Sequence, residues 1–198
     1  MSLVGWLLIS GFVAFMLGAG GWRPEYEQPA EESLPVMHAD RRRMRWIHRW
    51  MVLALPLTVA GLGGLAHLAH DPGAAVAAAG YTAGAVLWIG SLVFRLSVGE
   101  WAAERTAATG EVPDVYPALA RWAGYGHLVH MVSAYATAIP LAWAAEGAGL
   151  IPGWLAWAGS IWAVALLALF AVPRTRFIAS PPFWAHTFTF AIGLAIIV

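Results

Sequence analysis

Residues 41–70 read RRRMRWIHRWMVLALPLTVAGLGGLAHLAH, an arginine cluster that runs directly into an apolar stretch. The apolar part is long enough for one membrane crossing, because a transmembrane helix needs roughly 20 such residues. Arginines beside a span are typical of the flank that remains on the cytoplasmic side. The segment therefore predicts a membrane-spanning helix of defined direction, from which the rest of the chain can be oriented.

The composition excludes most soluble folds. The chain has 198 residues, of which 60% are hydrophobic and 11% are charged, whereas soluble domains carry roughly 25% charged residues. The formal net charge is zero, so we expect no nucleic-acid partner. The absence of cysteine excludes disulfides and thiolate metal sites, and the absence of lysine excludes Schiff-base chemistry.

Hydropathy predicts an all-α, six-transmembrane-helix bundle that forms a single transmembrane domain over residues 1–198. The N-terminal apolar stretch lacks the basic flank of a signal peptide, so we expect a retained helix. Two longer polar segments, 21–49 and 97–122, separate the spans on one side. The predicted spans are about 3–20, 50–70, 73–96, 123–145, 153–172 and 182–198.

Arginine placement gives the orientation. With six spans, all 11 arginines fall on the side that holds segments 21–49 and 97–122. Cytoplasmic loops are the ones enriched in Lys and Arg. The sequence therefore predicts a multi-pass protein of the cell inner membrane, surrounded by the lipid bilayer, with both the N-terminus and the C-terminus outside.

Histidines are the polar residues most suited to chemistry in this chain. His48, His127, His130 and His186 converge on the cytoplasmic third of the predicted bundle. Ionisable residues within spans are costly and often functional, and histidine is both a haem ligand and the commonest metal ligand. This distribution indicates a candidate site for haem or a metal near the cytoplasmic face.

Depth selects the predicted ligand pair. His130 is about 15 residues, or roughly 22 Å, from the outer end of its span, and His186 is about 12 residues, or roughly 18 Å, from the outer end of its own. These similar depths favour His130 and His186 as axial ligands of haem b. His127 replaces His130 if the helix is rotated, and His48 is a third ligand candidate.

Charged and aromatic residues extend the predicted site. Arg95 and Arg121, on the same face, are candidates to pair with haem propionates. Some aromatic residues are candidates to line a pocket for a flat ligand such as haem or quinone, although core packing or lipid contact also explains them. They are the deeper tryptophans Trp6, Trp88, Trp157 and Trp162, together with Tyr81, Tyr135 and Phe94.

Other interpretations of the histidines stay open. The inner histidines are also compatible with interfacial anchoring or core packing. At the outer end, His67 and His70 share a helix face beside Asp71, which could serve a metal. Asp71 followed by Pro72 is equally typical of a helix N-cap, and the cap interpretation needs no metal.

The sequence motifs restrict the classes of function that we expect. No nucleophile elbow, P-loop, dinucleotide fingerprint or HExxH motif is present, so a self-contained enzyme is poorly supported. We expect a redox component that binds b-type haem and exchanges electrons with the quinone pool. One alternative is a permease or metal-handling transporter with helices kinked at Pro56 and Pro140. Another is a scaffold subunit that associates with other membrane subunits, or with itself through Gly80 and Gly84.

Overall fold

The computed structural model describes residues 1–198, and 85% of them are helical, with no strand. A 3-10 turn at Pro24–Glu27 precedes α2, and a π-helical turn at Arg95–Gly99 joins α4 to α5. The helices are α1 (Ser2–Ala19), α2 (Ala30–Ala39), α3 (Arg41–Ala69), α4 (Pro72–Phe94), α5 (Glu100–Thr109), α6 (Tyr116–Gly147), α7 (Gly153–Ala171), α8 (Arg176–Ala179) and α9 (Phe183–Ile197).

Five helical segments are long and apolar enough to cross a membrane, namely α1, α3, the continuous run from α4 through α5, α6 and α7. The chain is therefore an all-helical protein with the character of a multi-pass membrane protein. The sixth apolar stretch forms α9, which has 15 residues. At 1.5 Å per residue this helix is about 22 Å long, shorter than the roughly 30 Å hydrocarbon core.

Three helix boundaries differ from the predicted span boundaries. α3 begins at Arg41 and α6 at Tyr116, so both start earlier than the apolar stretches at 50 and 123. The polar segment after α4 also remains helical to Thr109. Hydropathy marks where a helix enters lipid, whereas the helix itself continues until a breaker such as Gly110 or Pro113 ends it.

Close backbone approach determines how the helices pack. α1 packs against α3 and α9, while α6 packs against α4 and α7. A Cβ added at Gly84 would lie 2.8 Å from the Ser133 Cβ, and one at Gly80 would lie 3.2 Å from the Thr137 Cγ2. Both glycines therefore face α6 of the same chain.

The turn between α3 and α4 confirms the predicted N-cap. The Ala74 backbone N–H donates to the Asp71 carboxylate at 2.7 Å, and Pro72 is the first residue of α4. This hydrogen bond satisfies one of the orphan N–H groups at the helix start. It accounts for Asp71 without a metal beside His67 and His70.

A small polar cap covers the arginine-rich end of the bundle. α2 packs on α5, and the Arg23 guanidinium and the Tyr26 hydroxyl both donate to the Asp40 carboxylate, at 2.9 and 2.8 Å. Burial, together with the hydrogen bond to Asp40, raises the pKa of Tyr26 to about 12. These contacts fix the segment between α1 and α3 against the bundle.

Candidate functional site

His130 occupies the centre of α6 and is completely buried. Its imidazole stacks on the Trp88 ring, with centroids 4.6 Å apart and planes 21° apart, and meets the edge of Tyr81 at 5.4 Å. Neither of its ring nitrogens has a hydrogen-bond partner. The site therefore begins with a buried neutral base packed only against aromatic rings.

His186 comes to the same place from α9 and is 1% exposed. Its ring stacks on Phe15 of α1 at 4.5 Å, and its centroid lies 6.5 Å from that of Trp88. Both of its ring nitrogens also lack partners. The fold thus brings the predicted pair, His130 and His186, to one indole. We call these two histidines with Phe15, Tyr81 and Trp88 the imidazole cluster.

His127 has a different environment from that of the predicted pair. One turn before His130, it lies 5.7 Å from Trp88, and its Nε2–H donates to the Ser180 carbonyl at 3.1 Å. The bond links α6 to the turn before α9 and holds the imidazole with Nδ1 as its remaining nitrogen. His127 is therefore a neighbour of the imidazole cluster with one nitrogen already engaged.

His48 lies apart from the cluster, although it too is buried. Its Nδ1–H donates to the Met44 carbonyl at 2.7 Å, and its Nε2 is unpartnered. Its aromatic neighbour is Trp22, at 6.3 Å, rather than Trp88. The structure does not bring His48 together with His130 and His186.

The two predicted arginines also differ from each other. The Arg95 guanidinium lies over the Trp22 ring at 5.5 Å, at the start of the π-helical turn. Arg121 is exposed on α6. Neither arginine forms an ion pair, since the salt bridges of the chain are Arg23–Asp40 and Arg45–Glu100.

The aromatic residues predicted to line a flat-ligand pocket lie in different environments. Trp88 and Tyr81 are buried in the cluster, 4% and 2% exposed. Trp6 and Trp157 are instead more than half exposed, as expected for side chains that face lipid. Phe15 and the Ser180 carbonyl were not identified from the sequence, because no local pattern signals that α1 and the turn before α9 reach this depth.

Chemically, the cluster offers two neutral imidazoles on different helices, which is the donor set of a bis-histidine haem. No group of three or more His, Cys, Asp or Glu side chains could hold a metal ion. The donor chemistry thus fits a haem better than a free metal. The Trp88 indole contacts both imidazoles, so a planar group between them requires this side chain to move aside.

Comparison with known proteins adds no assignment: no family model matches the chain, and neither a curated protein nor a solved structure is significantly similar to it.

Proposed function

We propose that this protein is a membrane redox component that binds b-type haem through His130 and His186 near the cytoplasmic face. The supporting observation is that all four ring nitrogens of this buried pair lack partners. An unpaired buried polar group costs about 1–3 kcal/mol. A ligand that bonds one nitrogen of each ring would offset part of that cost.

The histidines hold and orient the group in this proposal. Haem, when bound, supplies reversible one-electron chemistry at its iron. Phe15 and Tyr81 limit the movement of the two imidazoles and exclude water from them. A low-dielectric surrounding of this kind is one of the levers by which a protein tunes a reduction potential.

Trp88 makes the proposal specific. Its ring centroid lies 4.6 Å from that of His130 and 6.5 Å from that of His186. A flat group between the two imidazoles would therefore have to displace this indole. Trp88→Ala should therefore retain or strengthen haem binding, whereas loss of either histidine should abolish it.

Arginines at the cytoplasmic end would accommodate the propionates. Arg95 follows Trp88 by seven residues, two helical turns or roughly 10 Å along the helix, and makes no salt bridge. Arg121 lies nine residues before His130 on α6. Of the two, partly buried Arg95 is favoured over exposed Arg121, because an unscreened charge binds a carboxylate more tightly.

The proposed electron partner is a membrane quinone. A mostly apolar cleft of about 410 Å³, including its open mouth, is lined by Tyr135, Trp162, Trp184 and Phe188. Ala185, next to His186, also lines it. The enclosed part of this cleft is only about 20 Å³, far below the roughly 300–1,000 Å³ of ligand pockets. A lipid-soluble ring would therefore have to displace lining side chains to approach the cluster.

The proposed topology has six spans with both termini outside, so α9 must cross a locally thinned bilayer. The chain has no cysteine, which permits single-cysteine labelling with an impermeant maleimide. Ala148→Cys and Val198→Cys should label from outside, and Glu111→Cys only after permeabilisation. Labelling of Val198→Cys only after permeabilisation would show that α9 does not cross.

Continuous helices favour the redox proposal over a permease. Pro56 and Pro140 lie inside uninterrupted helices of 29 and 32 residues, whereas many transporters use broken helices around a central site. A scaffold subunit, for its part, gives no reason for a buried imidazole pair without partners.

The test is an optical spectrum of detergent-purified protein, air-oxidised and then dithionite-reduced, after expression with ample haem. We expect a Soret band with reduced α and β bands. His130→Ala and His186→Ala should each remove these bands while the protein still inserts. His67→Ala, which alters an exposed histidine near the C-terminal end of α3, should leave these bands unchanged.

Two results would overturn the proposal. One is a featureless visible spectrum of the wild-type protein. The other is an unchanged haem spectrum in both single variants, which would show that any bound haem is held elsewhere.

A further inference from the structure

A second cleft lies at the arginine-rich end of the bundle, between α2, the start of α3 and α5. Its volume is about 460 Å³ including the open mouth. Unlike the apolar cleft near His186, it is lined mainly by polar and charged residues. Those that carry the argument are His38, Arg41, Arg45, Arg95, Glu100 and Glu104.

Arg95 is the key residue of this cleft. Its side chain is partly buried, its guanidinium lies over the Trp22 ring at 5.5 Å, and it makes no hydrogen bond or ion pair within the chain. A guanidinium carries five N–H donors in a planar fork. These donors lie beside the cleft and make no hydrogen bond within the protein, although the Glu27 carboxylate is close enough to attract the guanidinium.

The acidic residues of the cleft do not supply that acceptor. Glu100 is held by Arg45, which donates to both carboxylate oxygens at 2.7–3.1 Å. Glu104 is exposed and forms no ion pair. With Arg45 and Glu100 paired, Arg41 and Arg95 leave the lining with one positive charge more than Glu104 offsets. The Glu27 carboxylate, outside the lining and bonded to Trp22 Nε1, also attracts Arg95.

The backbone at Arg95 is also irregular. The π-helical turn Arg95–Gly99 interrupts an otherwise continuous helix, and such turns often occur at functional sites. His48, whose Nε2 is buried and unpartnered, contacts the same Trp22 ring. Two unsatisfied nitrogen-bearing side chains thus flank one indole next to the cleft.

We propose that this cleft binds a phosphate group, with Arg95 as the principal ligand and Arg41 at the rim. Arginine matches phosphate because its planar fork donates two parallel hydrogen bonds to a phosphate oxygen pair. The group could belong to an anionic lipid headgroup or to a soluble phosphate compound. The shared requirement is a phosphate at the level where the helices leave the membrane.

The test uses purified protein carrying His130→Ala and His186→Ala. Because this variant lacks both proposed haem ligands, a failure of the haem proposal leaves the result unaffected, and propionates cannot compete for Arg95. One arm titrates inorganic phosphate by calorimetry. The other measures retention of phosphatidylglycerol or phosphatidic acid, against phosphatidylcholine, by native mass spectrometry.

Arg95→Gln is the perturbing variant and Arg42→Gln the matched control, since Arg42 is exposed and does not line the cleft. We expect Arg95→Gln to weaken binding about tenfold or more, and Arg95→Lys to weaken it less. Arg42→Gln should bind like its parent. Helical circular dichroism of each variant checks that the fold is retained.

The two arms distinguish the sources. Selective retention of anionic lipid that depends on Arg95 identifies a headgroup site, and Arg95-dependent binding of inorganic phosphate alone identifies a soluble ligand. Equal binding by Arg95→Gln and Arg42→Gln in both arms, or no binding by the parent, would overturn the proposal.

Discussion

Replacing His130 with leucine should stabilise the haem-free protein. The two ring nitrogens of His130 are buried without partners, and each unsatisfied group costs about 1–3 kcal/mol in soluble proteins. Membrane-protein hydrogen bonds average nearer 0.6 kcal/mol, because the unfolded state also finds partners. Loss of the stack on Trp88 costs about 0.5–1.5 kcal/mol. Taking the low end of the soluble range, about 1 kcal/mol for each of the two nitrogens, and about 1 kcal/mol for the stack leaves a gain of about 1 kcal/mol for His130→Leu.

Thermal unfolding in detergent, followed by circular dichroism, measures this effect. A gain of 1 kcal/mol raises the midpoint by roughly 2–4 °C for a chain of this size. His67→Leu is the matched control, because His67 is exposed and its replacement relieves no buried group. We expect its midpoint to change by less than about 1 °C, since surface substitutions usually lie within about 0.5 kcal/mol.

Bound haem should reverse the sign of the change in melting temperature that His130→Leu causes. A ligand present at 100 times its Kd stabilises the native state by about 2.7 kcal/mol, and His130→Leu would forfeit that contribution. The variant should therefore melt above wild type without haem and below it with haem. A loss of 2–5 kcal/mol in the haem-free protein, as for a cavity-forming core substitution, would refute the reasoning, since it would mean that the imidazole makes stabilising bonds absent from this structure.

Two further predictions concern packing and pH. Gly159→Ala should destabilise the bundle by about 1–3 kcal/mol in chemical unfolding, because the added methyl overlaps the Phe188 ring. Gly63→Ala is the control: the space around Gly63 is open, so the free energy of unfolding should change by less than about 1 kcal/mol. Equal effects of the two substitutions would contradict the packing of Gly159 against Phe188. Because the pKa of Tyr26 is raised to about 12, the stabilisation that this tyrosine gives the folded state is fully present below its ordinary pKa of about 10. That stabilisation is lost as the pH rises through about 12. Melting temperatures measured at increasing alkaline pH should show this loss in the wild type but not in Tyr26→Phe, which also lacks the hydrogen bond to Asp40. The same pH dependence in both proteins would show that Tyr26 is not the group responsible.

Much of the fold could be predicted because membrane insertion depends on local composition. The arginine cluster before the apolar stretch at 50–70 predicted a span, and Asp71–Pro72 predicted a helix start that the structure confirms. Helix ends were less predictable. Arg41 and Tyr116 begin their helices outside the apolar stretches, since a helix persists through polar residues until a breaker ends it.

The candidate site was only partly predictable. Matching depths along two helices selected His130 and His186, and the structure brings both to Trp88. Depth says nothing about rotation about the helix axis, so it could not show that His127 Nε2 bonds to the Ser180 carbonyl whereas both nitrogens of His130 are unpartnered. Nor could it separate His48, which packs against Trp22 instead.

By itself, the sequence determined that this chain is helical and apolar enough for a lipid bilayer, because those properties depend on composition within each segment. Only the tertiary structure decided which histidine nitrogens have partners, that Gly80 and Gly84 face α6, and that Arg95 lies beside a polar cleft without a salt bridge. These features depend on the rotation and approach of helices distant in the chain. Side-chain packing sets both, and hydropathy does not encode them.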